Sequence, residues 1–290
     1  MIIEKTNNRK KFVNKSLKRI EDLFKPNKKV LVKPNIVSYE PYPTTTHPEV
    51  LRAVLEFLSQ FNLKIFVADG PAATAGTSKK IIEEHPLNEV CKEFGLSLID
   101  ILNYPMVSIR TKTGYKLTLS KLPFETDLHI SLPVLKSHFI TNITGALKNQ
   151  FGLLSFQERL KLHSDLKHIL RELKSFINPK TYVSKSRFLM SLERIKFRFE
   201  LKDIHRGIAE LNTIIKPDLF IIDAIETFIY AQEIRHGGKP VKLGYMLSGK
   251  DPLKLDIKGF ELLKNIDPNL KQKKPEDIEY IKYAKELLKR

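Results

Sequence analysis

The sequence predicts an α/β protein whose mixed, mostly parallel sheet is flanked by helices. Two β-branched runs, KVLVK at 29–33 and KIFVA at 64–68, are typical of buried strands, because each is apolar and ends at a turn that contains proline. Between them, apolar residues recur at helical spacing from Val50 to Leu58. Strand, helix and strand within about 40 residues indicate a βαβ unit, which pairs its two strands in parallel.

The remaining elements continue this alternation. The helix after the first strand begins at Pro48, because proline suits the first helical position and Glu49 suits the positive end of the helix dipole. A second helix ends near Phe94-Gly95, and an amphipathic helix follows Pro275. Alternating polarity at 115–120 predicts an edge hairpin. Further strands are predicted at 96–100, 127–133, 218–223 and 243–249.

Residues 155–206 interrupt the sheet with helical, basic sequence. They hold thirteen Lys or Arg against six Asp or Glu, and their apolar residues recur at helical spacing. Such a segment is too apolar to remain an unfolded linker. We therefore predict one α/β domain formed by residues 1–154 and 207–290, with residues 155–206 as a helical insertion or lid.

Composition restricts the location and the cofactors of the protein. No run approaches the roughly 18 uncharged apolar residues of a membrane span. The N-terminal stretch MIIEKTNNRKKF is charged where a signal peptide is apolar, so we expect a cytoplasmic protein without membrane contact. Cys91 is the only cysteine, which excludes an internal disulfide and an iron–sulfur cluster held by this chain alone.

The chain is strongly basic, with 50 Lys and Arg against 33 Asp and Glu and a formal net charge of +17. The excess is concentrated at 1–33, with eleven basic and three acidic residues, and at 155–206. Such charge favours anionic partners or simply keeps a protein soluble. One hypothesis is therefore a nucleic-acid or ribonucleoprotein-associated binding protein that uses these basic helical faces, although no aromatic ribonucleoprotein motif supports it.

Polar residues follow the predicted strands at the points where they end. In a parallel sheet these points share one edge, where open α/β sheets bind ligands. The residues concerned are Lys33, Asn35, Asp69, Lys136, His138 and Asp223, joined by Thr45, Thr46 and His47 if their loop folds back over that edge. Each residue alone has a structural explanation, because Thr46 is a suitable helix cap and Asp69 a normal turn residue.

The segment 144–149, TGALKN, is typical of a helix start with Thr144 as its cap. Gly145 leaves the backbone accessible, and Lys148 lies one turn from Thr144 on the same face. Free N–H groups and an ammonium there would hold a phosphate or a carboxylate, with Asn149 beside them. The phosphate-binding GxxxxGK[ST] and GxGxxG patterns and the catalytic HExxH and GxSxG patterns are absent.

These residues predict a site for a small anionic ligand at the carboxyl edge of the sheet. His138 and Lys136 are the candidates for acid–base catalysis, provided that burial brings a pKa towards neutrality. Asp69, Asp223 and Asp256 are the candidates for holding a divalent cation, and the alternative is that they neutralise lysines as ion pairs. The sequence does not decide whether the protein is an enzyme.

The order of the motifs VLVKPNIVS, TTTHPEVLRAVLEFL, VADGP, LPVLKSH, TGALKNQFGLLS, RLKLH, KPDLFIIDAIE and SGKDPLKLD resembles the family known as domain of unknown function 362. The resemblance covers about residues 28–262. It implies a soluble α/β protein with no agreed reaction, and it adds His163 to the site residues given above. Relatives often carry a ferredoxin-type iron–sulfur module, which implies redox or cofactor-related work.

The chain departs from the family pattern in three places. It has no iron–sulfur module, so a redox role would need a partner redox protein. The sequence after Asp223, AIETFIYAQEIRHGGKP, lacks the usual glycine-rich turn. The basic segment after His163 is longer than usual, which favours a lid or a partner surface. The oligomeric state is not predicted.

Overall fold

The protein is described here from a computed structural model, which covers residues 1–73, 75–163 and 202–288. Its main sheet has seven strands in the order β1-β11-β10-β7-β2-β3-β4. Two smaller sheets pair β5 with β6 and β8 with β9. The strands are β1 (Ile2–Lys5), β2 (Lys29–Lys33), β3 (Lys64–Asp69), β4 (Leu98–Asp100), β5 (Met106–Arg110), β6 (Lys116–Ser120), β7 (Leu128–Ser131), β8 (Lys136–His138), β9 (Asn142–Thr144), β10 (Leu219–Ile229) and β11 (Lys239–Gly249).

The main sheet is mostly parallel, which confirms the predicted fold class. Strand β2 pairs in parallel with both β3 and β7, and β10 and β4 extend the parallel set on either side. Strand β11 is antiparallel to β10 and to β1. The hairpin predicted at 115–120 forms between β5 and β6 as a separate sheet, because Leu117 and Leu119 pack into the core on one face of the main sheet.

Nine α-helices lie in the described ranges, and none of them is long and apolar enough to cross a membrane. They are α1 (Arg9–Leu17), α2 (Pro48–Leu58), α3 (Ser78–Glu84), α4 (Pro86–Glu93), α5 (Ala146–Asn149), α6 (Phe156–His163), α7 (Ile204–Ile214), α8 (Pro252–Lys264) and α9 (Glu279–Leu287). Residues 164–201 lie outside the described ranges, so the predicted insertion at 155–206 stays a prediction.

Alternating residues of β2 belong to two separate cores, one on each face of the sheet. Val30 and Val32 pack with helices α1, α2 and α4, whereas Leu31 packs with α7, α8 and α9. A strand buried on both faces needs apolar residues at successive positions, which is the pattern that Val30, Leu31 and Val32 show. The sheet is therefore held rigidly, and its carboxyl edge is a fixed frame for the loops that follow β2, β3 and β7.

Strand β1 was not predicted. Ile2 and Ile3 pair with Ser248 and Leu247 of β11, but the other two residues of this edge strand, Glu4 and Lys5, are charged, and none of its four residues is fully buried. Charged, short edge strands are common in natural sheets because they resist pairing with other chains. The weak apolar pattern of such a strand explains why the sequence did not indicate it.

Candidate functional site

A cavity of about 150 Å³ lies beyond the carboxyl ends of β2, β3 and β7. Loops after these strands form part of its wall, and the β8–β9 hairpin, α5, α6 and the turn between β10 and β11 form the rest. Its polar lining residues are Asn35, Asp69, Lys136, His138, Thr144, Lys148, Asn149, Arg159, His163, Gln232, Glu233 and His236. The structure thus brings eight of the residues singled out in the sequence into one cavity.

The β8–β9 hairpin positions three of these side chains. Lys136 lies opposite Thr144 in this two-stranded sheet, and His138 lies opposite Asn142. The buried ammonium of Lys136 donates hydrogen bonds to Asn35 Oδ1 at 3.1 Å and to the carbonyl oxygen of Thr44. Burial lowers the pKa of Lys136 to about 8, although the carboxylates of Glu233 and Glu40 oppose that shift.

His138 is a neutral imidazole in this environment. Its Nδ1 accepts hydrogen bonds from the backbone N–H groups of Ile140 at 3.1 Å and Thr141 at 3.4 Å, which leaves the proton on Nε2. Burial, with the charge of Lys148 added to it, lowers the pKa of His138 well below its usual value. The ring is therefore suited to donate a hydrogen bond to a ligand, and less suited to remove a proton.

Lys148 is the lysine of the cavity that lacks a partner within the described residues. Its side chain is half-buried, and no hydrogen bond or ion pair to it is present in ranges 1–73, 75–163 and 202–288. Burial and the nearby charge of Lys136 lower the pKa of Lys148 to about 7. Thr144 Oγ1 and Asn149 Oδ1, both in residues that line the cavity, are likewise buried without a hydrogen-bond partner.

The start of helix α5 is occupied by the protein's own carboxylate. Asp256 accepts hydrogen bonds from the backbone N–H groups of Ala146 at 2.5 Å and Leu147 at 3.2 Å, and from the hydroxyl of Tyr280 at 3.1 Å. The expectation that these N–H groups bind a ligand is therefore wrong. Gly145 does not line the cavity; its lack of a side chain makes room for Asp256.

Adding a methyl group at Gly145 should destabilise the protein only while Asp256 is present. A Cβ at this position would overlap the Asp256 carboxylate, so we expect Gly145→Ala to lower the free energy of unfolding by about 1–3 kcal/mol. In an Asp256→Ala background the same substitution should cost less than about 0.5 kcal/mol, which urea denaturation of the four variants measures. Equal costs in both backgrounds would contradict this account.

Lys33 and Asp69 form a buried ion pair below the cavity. Lys33 Nζ lies 2.6 Å from Asp69 Oδ1, and Asp69 Oδ2 accepts a hydrogen bond from the N–H of Ile36 at 2.6 Å. Both side chains are almost completely buried. A Cβ on Gly152 would overlap the Asp69 carboxylate, so glycine is required there. The charge of Lys33 is thus neutralised within the protein, and Lys33 itself does not line the cavity.

The three aspartates proposed as metal ligands lie in three separate environments. Asp69 pairs with Lys33, and Asp256 caps α5. Asp223 accepts from Arg9 Nε at 2.7 Å and from the hydroxyl of Tyr42 at 2.8 Å. They therefore do not form a common cation site. Ligand atoms that do lie within 4.8 Å of one another belong, in the described part of the chain, to Asp203, His205 and Glu279, which are away from the cavity.

The loop with Thr45, Thr46 and His47 supports the site without lining it. His47, rather than Thr46, caps α2, because its Nδ1 accepts from the N–H of Glu49 at 3.1 Å. Thr46 Oγ1 accepts from the N–H of Asn35 and donates to the carbonyl of Leu132, which joins the ends of β2 and β7. Thr45 donates to the carbonyl of Glu40 at 3.4 Å. These contacts hold Asn35 in the cavity wall.

Sequence reasoning missed four polar residues of the lining: Arg159, Gln232, Glu233 and His236. Glu233 lies 2.6 Å from Arg235 Nε and 3.3 Å from His236 Nδ1. Burial raises the pKa of Glu233, but its hydrogen bonds to His236 and Arg235 outweigh that effect and lower the pKa to about 2. The unusual cluster QEIRH, directly after an apolar strand, was the signal available in the sequence.

The nucleic-acid hypothesis stays a prediction. Most of the basic segment 155–206 lies outside the described residues. In the other segment, Lys10, Lys15 and Lys28 form ion pairs with Glu56, Glu4 and Asp127 at 2.7, 2.7 and 3.1 Å. Part of the positive charge at 1–33 is thus already compensated by acidic side chains of the same chain.

Comparison with known proteins agrees with the fold. A family model described as domain of unknown function (DUF362) matches residues 30–261. The thylakoid-associated protein sll1697 of Synechocystis sp. is 31% identical over 140 residues, which cover 45% of this chain and 40% of that protein. The chain thus spans less than half the length of this relative.

Two solved structures align with most of this chain. The lactate racemase apoprotein of Thermoanaerobacterium thermosaccharolyticum superimposes with a TM-score of 0.53 and 19% identity, over 91% of this chain and 57% of that chain. A protein from Thermotoga maritima superimposes with a TM-score of 0.44 and 14% identity, over 99% of this chain and 61% of that chain. At 19% identity, the similarity to the racemase shows a shared fold.

Proposed function

This chain belongs to the domain of unknown function 362 family, and we propose that its cavity binds a small anionic molecule. The observation that carries the proposal is the ammonium of Lys148, which faces the cavity without a partner among the described residues. A charge held away from bulk water is costly unless it is paired. Lys136 and the Nε2–H of His138 supply further donors on the same wall, and a phosphate or carboxylate would accept from all three.

The same arrangement supports acid–base chemistry on a bound anion. A group whose pKa is near 7 can both take up and release a proton at neutral pH, and Lys148 fits this condition. We therefore assign proton exchange to Lys148 and hydrogen-bond donation to His138. The solved structure with the same fold is named for lactate, so lactate belongs among the carboxylates to be tested.

Titration calorimetry with phosphate, sulfate, acetate and lactate at pH 6.5 tests the proposal. We expect at least one anion to bind saturably to the wild-type protein. Its affinity should fall about 10-fold or more in Lys148→Met, because a hydrogen bond to a charged group is lost. Lys254→Met removes the same charge from an exposed side chain and should leave the affinity unchanged. Absence of saturable binding by all four anions would reject the proposal.

Anion affinity should also fall as the pH rises from about 7 to 9. Lys148 loses its proton first and Lys136 follows, because burial lowers their pKa values to about 7 and about 8. Because His163, His236 and Glu233 also line the cavity, a variant is needed to assign the pH dependence of the affinity to Lys148. In Lys148→Arg the guanidinium stays charged, and the affinity should depend less on pH. An unchanged pH dependence would exclude Lys148 as the titrating group.

A further inference from the structure

The cavity contains two ammonium groups, and neither has a carboxylate of residues 1–73, 75–163 or 202–288 within ion-pair distance. Lys136 donates only to neutral oxygen atoms, those of Asn35 and Thr44. Lys148 has neither a hydrogen-bond partner nor an ion-pair partner in the part of the chain that the structure describes. The two side chains line the same cavity. Their charges repel each other across it, and this repulsion is stronger there than in water because the surroundings are less polarisable.

The carboxylates of the same wall are already neutralised. Asp69 lies 2.6 Å from Lys33 Nζ, which is buried behind it. Glu233 lies 2.6 Å from Arg235 Nε and 3.3 Å from His236 Nδ1. Neither carboxylate can approach the lysines without giving up a partner of its own. Among the described residues, no carboxylate is therefore left to form an ion pair with Lys136 or Lys148, and a bound anion would supply that partner.

We propose that the ligand presents two negative charges on one small group, as a phosphate monoester or a short dicarboxylate does. This inference rests on the proposed anion-binding function and adds the class of the ligand. A monoanion would neutralise one ammonium and leave the second unpaired. A dianion would neutralise both, and its several oxygen atoms would also accept the hydrogen bond from His138 Nε2.

Methyl phosphate and dimethyl phosphate provide a matched pair of probes. They differ little in size, but at pH 6.5, where Lys148 with its pKa of about 7 is still mostly charged, the first is mostly a dianion, because the second ionisation of a phosphate monoester occurs near pH 6. The diester is a monoanion at this pH. Calorimetric titration of both into the wild-type protein should show methyl phosphate binding about 10-fold or more tightly than dimethyl phosphate. In Lys148→Met the ratio should fall towards one, and in Lys254→Met it should stay as in the wild type.

The outcomes separate the inference from the function on which it rests. If both phosphates bind with similar affinity, or if only acetate or lactate binds, the ligand is not selected for two charges and the inference fails, while the anion site remains. If none of these anions binds, the proposed function fails with it. Circular dichroism and thermal unfolding of each variant establish that it is folded, and Lys136→Met provides a second test should Lys148→Met not fold.

Discussion

Lys33→Met is expected to lower the free energy of unfolding by about 3–5 kcal/mol. The substitution leaves the Asp69 carboxylate buried without its cation, and a buried charge that has lost its partner is strongly destabilising. Within the described ranges, the N–H of Ile36 is the one donor that would still bond to that carboxylate, at 2.6 Å. Urea denaturation, followed by circular dichroism, measures the loss.

Two further variants make this prediction specific. Lys33→Met combined with Asp69→Asn removes both charges and keeps an acceptor for Ile36, so it should be more stable than Lys33→Met alone. Lys28→Met breaks an exposed ion pair with Asp127 and should cost less than about 1 kcal/mol. The interpretation fails if Lys33→Met is as stable as Lys28→Met.

Arg159→Lys should lower the free energy of unfolding by about 3 kcal/mol or more. The buried guanidinium donates to the carbonyl oxygen atoms of Leu154 at 2.9 Å, Gly70 at 3.1 Å, Pro71 at 2.5 Å and Gly152. The ammonium of lysine has three donors and lacks the planar arrangement of the guanidinium N–H groups, so buried carbonyl groups would be left without a donor. Each unpaired carbonyl would lower the free energy of unfolding by about 1–3 kcal/mol. Chemical denaturation measures the effect.

The same substitution should also weaken anion binding. Arg159 joins the loop after β3 to residues 152–154, and both segments border the cavity, so their separation would enlarge the site. Arg52→Lys is the matched control, since Arg52 makes a two-bonded but exposed pair with Glu93 and its replacement should cost less than about 1 kcal/mol. If Arg159→Lys behaves like Arg52→Lys in both measurements, the structural role assigned to Arg159 is wrong.

The fold class could be predicted because its signals are local. The runs VLV at 30–32 and IFVA at 65–68 are apolar at every position, as strands buried on both faces must be. Pro48 marks the start of α2 within the sequence itself. The antiparallel part of the sheet was harder to predict. The strands were predicted at 218–223 and 243–249, whereas the pairing of β10 with β11 continues to Ile229 and Lys239.

The sequence predicts where the site lies on the sheet, but not which side chains contact one another there. The convergence of Asn35, Lys136 and His138 follows from the rule that parallel strands end at one edge. Whether a polar residue then faces a ligand or a neighbouring side chain depends on contacts far away in the sequence. Lys33 and Lys148 illustrate this, since each is a lysine near a strand end or helix start, yet Asp69 neutralises only Lys33.

The missed residues show the same limit. Glu233 and His236 come from a turn between two long antiparallel strands, and the sequence does not indicate that this turn lies over the carboxyl edge of the sheet. Hydrogen bonds from the N–H groups of Ile234 and Arg235 to Glu40 fix it there. Such contacts join residues almost two hundred positions apart, and they are therefore set by tertiary structure alone.

The pairing of β1 with β11 has a consequence for the order in which the protein assembles during translation. Ile2 finds its partner in Ser248, so β1 has no place to dock until β11 has also left the ribosome. The β2–β3 pair, by contrast, needs only the first seventy residues. Sequence separation on this scale slows folding, because a large loop must close before the contact forms. Strand β1 is thus expected to join the sheet after β2 and β3 have paired, although it precedes both of them in the sequence.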